Sequence, residues 1–141
     1  MKLTLLAVGK LREPWVREGC DEYQKRVRAR LPVEVVELKS AAEIARRLPP
    51  RAEVWALDER GRELSSSELA EELRRRMGAG SAGLALLIGG ADGLPGEVLE
   101  GARFRWSLGR LTLPHRLARL VVLEQLYRAL SIVRGEPYHR E

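Results

Sequence analysis

The sequence predicts a single α/β domain, residues 1–141, built on a parallel sheet of about five strands flanked by helices. Three observations predict it. Five short apolar runs alternate with five helical stretches, and neither an internal repeat nor a linker interrupts them. The run Leu84 to Ile88 is apolar throughout, as in a strand covered on both faces. A length of 141 residues, 45% hydrophobic and 32% charged, is that of one globular domain able to bury a core.

Leu3 to Gly9 is a short apolar run closed by glycine and reads as the first strand. Glu13-Pro14 opens a helix with proline in its first turn, carrying Trp15, Val16, Tyr23 and Val27 inward. Its end collects Lys25, Arg26, Arg28 and Arg30, where cations oppose the helix dipole. Val33 to Leu38 is the second strand, and Ala41 to Leu48 a short helix stopped by Pro49-Pro50. Val54 to Leu57 is the third strand; it closes at Asp58, and Gly61 begins a loop. Ser65 and Glu68 form a capping box for a helix that runs to Met77. Gly78 to Gly83 matches G-x-G-x-x-G, but it follows a helix and feeds a strand. A dinucleotide fingerprint requires the reverse order, so this is a flexible turn. Leu84 to Ile88 is the fourth strand, and Asp92 is placed to cap a short helix from Pro95 to Glu100. Phe104, Trp106 and Leu108 alternate with Arg105 and Ser107 in a half-buried fifth strand. His115 to Arg134 is the last helix, with Pro114 at its first position and Gly135 as C-cap. Twelve of its twenty residues are apolar, more than one stripe, so it is expected to be covered by its own sheet and by something else.

Composition excludes several classes. Cys20 is the only cysteine, so no intrachain disulfide or cysteine zinc site can form. With no signal segment in Met1 to Gly9, the expected compartment is the cytoplasm. No run approaches ~18 uncharged apolar residues, so no membrane span is expected. Two histidines, His115 and His139, make no histidine metal cluster, and no metal is expected. The net charge of +5 lies wholly from Arg103 onward, where eight arginines face three acids. Arginine forks onto phosphate, so one reading is a polyanion partner; the other is a solvated basic face.

Two stretches carry more information. Gly89-Gly90-Ala91-Asp92-Gly93-Leu94-Pro95 places three glycines within five residues at a strand's carboxyl end, the edge where open α/β sheets bind ligands. It lacks the lysine and Ser/Thr of a nucleoside-triphosphate loop, and the alternative is a tight turn. The polar tail Glu136-Pro137-Tyr138-His139-Arg140-Glu141 has nothing to bury and a dense set of reactive groups.

Taken in order, several motifs are similar to the SPOUT class of methyltransferases, and more closely to its ribosomal RNA large subunit methyltransferase H family. They are Met1-Lys2-Leu3 through Ala7-Val8-Gly9, Leu86 to Leu94, Trp106-Ser107-Leu108, Leu111 to His115, Glu124 to Ala129, and Pro137 to Glu141. The resemblance covers the whole chain. Departures are small: Ala91-Asp92 where Pro-Glu or Ser-Glu is usual, Arg116 where proline is frequent, Glu136 where histidine is frequent, and a shortened Ser40 to Pro50 region.

The resemblance implies a C-terminal trefoil knot and a homodimer whose active site lies against the partner subunit. It implies transfer of a methyl group from S-adenosylmethionine (SAM) to N3 of a pseudouridine in 23S rRNA, on the ribosome. It assigns the cofactor to Leu57, to Gly90, and to Gly109, Arg110, Leu111, Thr112, Leu113 and Pro114. Apolar walls with backbone donors and acceptors suit adenine, although Leu57, Leu111 and Leu113 taken singly also read as core. A uracil-type N3 must lose a proton while its oxygens gain charge, so a base and a cation are wanted. By resemblance His139 and Arg140 fit those roles, with Tyr138 to stack on or hydrogen-bond the base; His115 ranks below His139. Which group, or water, takes the proton stays open. Arg103, Arg105, Arg110, Arg116, Arg119 and Arg134 are candidates for rRNA phosphate. Two other classes stand beside this one: a non-catalytic ribosome-associated factor of the same fold, and a nucleotide-binding enzyme acting on a small acidic metabolite.

Overall fold

Residues 1 to 140 are described by a computed structural model, the Arg140 side chain excepted. Among the described residues there is one sheet of five parallel strands, in the order β2-β1-β4-β3-β5. The strands are β1 (Lys2–Val8), β2 (Val33–Leu38), β3 (Glu53–Glu63), β4 (Gly83–Ile88) and β5 (Phe104–Ser107). The helices are α1 (Pro14–Arg28), α2 (Ile44–Arg47), α3 (Ser66–Gly78), α4 (Gly96–Gly101) and α5 (His115–Val133). The predicted parallel α/β sheet is therefore present, and β1 and β4 occupy its middle. β4 is buried at every position, as its unbroken apolar run requires.

Alternate residues of the central strands feed two cores. Leu3, Leu5, Leu84 and Leu86 join the larger one with Val16, Leu73, Leu123, Leu126 and Leu130 from α1, α3 and α5. Leu6 and Leu87 face the other way, onto Ile44 of α2 and the half-buried Val98 of α4. α5 packs against both α1 and α3. Its wide apolar surface is thus covered mainly within the chain, by the sheet below and a helix on each side.

Local sequence explains the ends. Ser65 Oγ accepts the Glu68 N–H at 3.0 Å while Glu68 reaches back to the Ser65 N–H at 2.8 Å, the predicted capping box. Gly135 takes φ +71°; its N–H donates to the Ile132 carbonyl and that of Glu136 to the Ser131 carbonyl. This pattern closes a helix on a left-handed residue. Pro114 is the residue before α5, with extended ψ, rather than its first helical one.

Four expectations need correction. β3 does not end at Asp58: after an irregularity between Leu57 and Arg62 it pairs again, Arg62 with Trp106 and Glu63 with Ser107. The polar Asp58-Glu59-Arg60-Gly61 looks like a turn but is a bulge. Gly61 permits it, because a Cβ there would strike the Arg105 carbonyl. Trp15 does not point inward and is 58% exposed, since Val16 takes the inward position of that turn. The helix expected from Ala41 to Leu48 is a short 3-10 turn (Ala41–Glu43) followed by the single-turn α2. Asp92 does not cap α4, whose preceding residue is Pro95 without a side-chain cap.

Leu126 is fully buried in the middle of α5. Leu126→Ala is expected to destabilise the fold by about 3 kcal/mol, read from the urea midpoint at unchanged slope.

Candidate active site

At the carboxyl ends of β3, β4 and β5 the chain leaves a cleft of about 930 Å³. The glycine loop forms its floor. Gly93 adopts φ +74° and donates its N–H to the Gly90 carbonyl at 3.0 Å. A Cβ on Gly89 would lie 2.5 Å from the Gly93 carbonyl carbon, so the turn can close only without a side chain there. The second wall is the segment Leu108 to Pro114. Gly109 opens it at φ +131°, and Ser107 Oγ straps it, accepting the Gly109 N–H at 3.2 Å and donating to the Gly109 carbonyl at 3.1 Å. The extended end of β3, Leu57 to Arg60, supplies the third wall.

Of the eight residues assigned to a cofactor, Leu57, Gly90, Gly109, Leu111, Thr112, Leu113 and Pro114 line this one cleft. Arg110 does not line it and points to solvent. Sequence reasoning missed Asp58, Glu59 and Arg60, because the third strand was ended too early; it ranked His115 only below His139 as the base, and it had Arg105 and Arg116 only as phosphate candidates, yet all three line the cleft. The cleft is apolar along Leu57, Leu108, Leu111 and Leu113, and its charged lining mixes Asp58, Glu59 and Asp92 with Arg60, Arg105 and Arg116. That combination suits a flat heterocycle joined to a group that carries charges of both signs.

The tail lies elsewhere. Pro137–Arg140 forms a 3-10 turn that folds back on the second half of α5. The Tyr138 ring meets Tyr127 edge-on at 4.6 Å, with the Arg128 guanidinium 4.8 Å from its centroid. The Tyr138 hydroxyl donates to Glu124 Oε2 at 2.8 Å and lies 3.0 Å from the Tyr23 hydroxyl. Burial, then those two partners, push its pKa above the ordinary tyrosine value, so it stays protonated. Arg128 donates from Nε and Nη2 to Glu124 Oε2 at 3.1 and 2.7 Å, an i,i+4 pair with the acid on the N-terminal side. His139 Nδ1 is shielded from solvent and has no hydrogen-bond partner among the described residues. The Arg140 side chain lies outside the described residues. Neither Tyr138 nor His139 lines the cleft of its own chain. Glu124 is nine residues beyond His115, roughly 14 Å along the helix axis.

The arginines expected on phosphate divide in two. Arg119 is 3% exposed; its guanidinium donates to Glu37 Oε2 at 2.6 Å and to the Gly9 carbonyl at 3.0 Å, which withdraws it from the phosphate set. Arg116 pairs with Glu13 at 2.9 Å and Arg134 with Glu136 at 3.4 Å, although both keep solvent contact. Arg103, Arg105 and Arg110 are exposed around β5. Arg105 donates to the Leu99 carbonyl, a neutral acceptor that leaves its charge unpaired.

The fold and the cleft at its carboxyl edge define the SPOUT class of methyltransferases: the family model described as "Predicted SPOUT methyltransferase" matches residues 1–139. The chain is 47% identical to the ribosomal RNA large subunit methyltransferase H of Rubrobacter xylanophilus over 158 residues, covering 98% of each chain. It is 47% identical to that of Anaeromyxobacter dehalogenans over 154 residues, covering 99% of this chain and 100% of the other. A probable methylase family protein from Haemophilus influenzae shares the fold with a TM-score of 0.64 at 12% identity, over 96% of this chain and 69% of that one. The chain belongs to the ribosomal RNA large subunit methyltransferase H family.

Arg119 also generates a stability prediction. Removing it takes the guanidinium from the Gly9 carbonyl and from Glu37, which keeps only the Leu11 N–H at 3.2 Å. Breaking a fully buried pair costs about 3–5 kcal/mol; Glu37 keeps part of its hydration, so Arg119→Ala is expected to cost about 2 kcal/mol. Burial opposes ionisation of Glu37, but the Arg119 hydrogen bond, the Leu11 N–H and the charges of Arg119 and Lys10 together hold its pKa below the ordinary carboxylate value. A depressed carboxylate contributes stability above its unfolded pKa and loses it as pH falls through the folded one. The gap between wild type and Arg119→Ala in urea melts should therefore be full near pH 7 and narrow below about pH 4. A gap that does not change with pH would remove this ion pair as its cause.

Proposed function

We propose that this single-domain chain methylates N3 of a pseudouridine in 23S rRNA with SAM, in the cytoplasm and on assembled ribosomes. The cleft carries the reading: seven of the eight residues assigned to SAM by resemblance converge on it, in a chain of this family. When bound, SAM supplies a methyl group on a cationic sulfur that departs as a neutral thioether. The apolar side chains Leu57, Leu111 and Leu113 would hold the adenine, and the backbone at Gly90 and Gly109 would meet its polar edge. Of the charged lining, Asp58, Glu59 and Asp92 would face the cationic sulfur and the amino group, and Arg60, Arg105 and Arg116 the carboxylate.

The remaining work falls to the tail. The N3 proton must leave as the N3–methyl bond forms, and negative charge that collects on the ring oxygens must be met by a cation. We assign His139 to the first task and Arg140 to the second. Tyr138, with its hydroxyl committed to Glu124 and Tyr23, supports them rather than touching the base. Because the tail packs well along α5 from its own cleft, a tail that reaches a cleft belongs to a second copy of the chain. This favours a homodimer with composite sites. Two large apolar side chains without cover agree with it: Trp15 at 58% and Leu111 at 82% exposure. The trefoil knot that the resemblance implies would be tied in the segment that leaves the sheet at edge strand β5 and ends in α5, seated between α1 and α3. The exposed Arg103, Arg105 and Arg110 face rRNA phosphate.

Tritiated SAM incubated with ribosomes lacking the modification should place label on N3 of one pseudouridine of 23S rRNA. Label on another atom, or none, overturns the reading. His139→Ala is expected to abolish transfer with SAM affinity nearly intact, and Gly90→Val to abolish SAM binding in calorimetry by filling space beside Val8. Raising salt should weaken ribosome binding steeply, with a log–log slope near the number of phosphates contacted.

A further inference from the structure

Glu136 stands in the polar tail directly after the Gly135 turn, and local sequence gives it no partner. The structure supplies one. Arg30, just beyond the end of α1, forks onto Glu136: Nε donates to Oε1 at 3.1 Å and Nη2 to Oε2 at 2.7 Å. A third bond, from Nη1 to the Arg26 carbonyl at 3.1 Å, holds the guanidinium flat. That plane lies 4.9 Å from the centroid of the Tyr127 ring, the ring against which Tyr138 packs. Both partners are largely shielded, at 19% and 31% side-chain exposure.

Position gives this pair its meaning. Gly135 reverses the chain at the end of α5, Glu136 is the next residue, and His139 follows three residues later. A bidentate arginine–carboxylate pair fixes direction as well as distance. The pair therefore sets the angle at which the tail leaves α5, and Tyr138 fixes the next contact along it. We propose that Arg30 and Glu136 are positioning residues for methyl transfer, aiming the tail so that His139 and Arg140 arrive in one place. The inference rests on the reading that the tail serves a cleft.

Charge reversal tests it on the full-length protein with unmodified ribosomes and SAM. Glu136→Arg and Arg30→Glu each place like charges together; the double variant restores an opposite pair in reversed order. Each single variant is expected to lower kcat about tenfold or more, as misplacing reacting groups does, with SAM affinity unchanged. Glu136→Arg makes the protein more basic, which can only favour RNA, so its loss should appear in kcat and not as a raised KM for ribosomes. The double variant should recover most of the lost kcat. Wild-type kcat in both single variants overturns the inference, and so does a double variant as slow as the singles. A thermal melt is run on each, because a fall in kcat that only tracks lost folded protein also overturns it. His139→Ala separates the two levels: if it is inactive while the single reversals are fully active, the pair alone is refuted. If His139→Ala turns over normally, the role of the tail in methylation fails.

Discussion

α5 lies between α1 and α3 on one face of the sheet, with Ala118, Val122, Leu123, Leu126, Ala129 and Leu130 essentially out of water. Each fully buried aliphatic side chain of this kind is worth about 1.5–3 kcal/mol, so four or five of them rival the whole stability of a small domain. The helix cannot leave its seat without unfolding the protein, and that fixes both of its ends. His115, at one end, must stand at the carboxyl edge of the sheet. The chain from β5 must then run along that edge to reach it, and this run, Leu108 to Pro114, is the cleft wall. Gly135, at the other end, must release the tail on the far side. The separation of cleft and tail is thus a consequence of packing.

A charge buried beneath that helix completes the seat. Arg119 joins α5 to Glu37 of β2 and to the carbonyl of Gly9, which follows β1. Gly9 has φ +102°, and a Cβ there would come 3.9 Å from His115 Nε2, so this joint also sits behind the start of the cleft. Taking Arg119 out of the solvent-facing set changes the meaning of the basic C-terminal third. Among the described residues, the exposed members of that set outside any ion pair, Arg103, Arg105 and Arg110, gather around β5, next to the cleft wall, while Arg116 and Arg134 are paired with Glu13 and Glu136. Unpaired positive charge from this set therefore stands beside the cavity, a coincidence that net charge by itself could not express.

The strands with unbroken apolar runs, the capping box at Ser65 and the turn at Gly135 were legible because each follows from local chemistry. So were the glycine loop and the Leu111 to Pro114 wall, whose motifs are contiguous. What could not be read was set by partners distant in sequence. The bulge of β3 depends on β5, some forty residues on, and its polar Asp58-Glu59-Arg60 hid three cleft residues in what looked like a turn. Arg119 looked solvent-facing because no spacing rule joins it to Glu37. Trp15 and Val16 are neighbours of similar hydrophobicity, and only the packing of α1 decides which turns inward. Glu136 had no visible partner without Arg30, 106 residues away.

The placement of the tail also constrains the proposed dimer. Two copies related by a two-fold axis present the same patch to each other. The cleft belongs to the first turn of α5 and the tail to its second half, so parallel α5 helices would set cleft beside cleft and tail beside tail. Only an antiparallel crossing brings the tail half of one helix near the cleft half of the other. The uncovered groups lie where that crossing needs them. Leu111 belongs to the cleft wall just before α5, and Trp15 lies beside Glu13, which pairs with Arg116 in the first turn of α5. Each cleft would then be closed by a surface that one chain cannot supply, and neither copy alone would hold both SAM and the groups that handle the proton. In the proposed dimer, catalysis would depend on assembly through geometry alone.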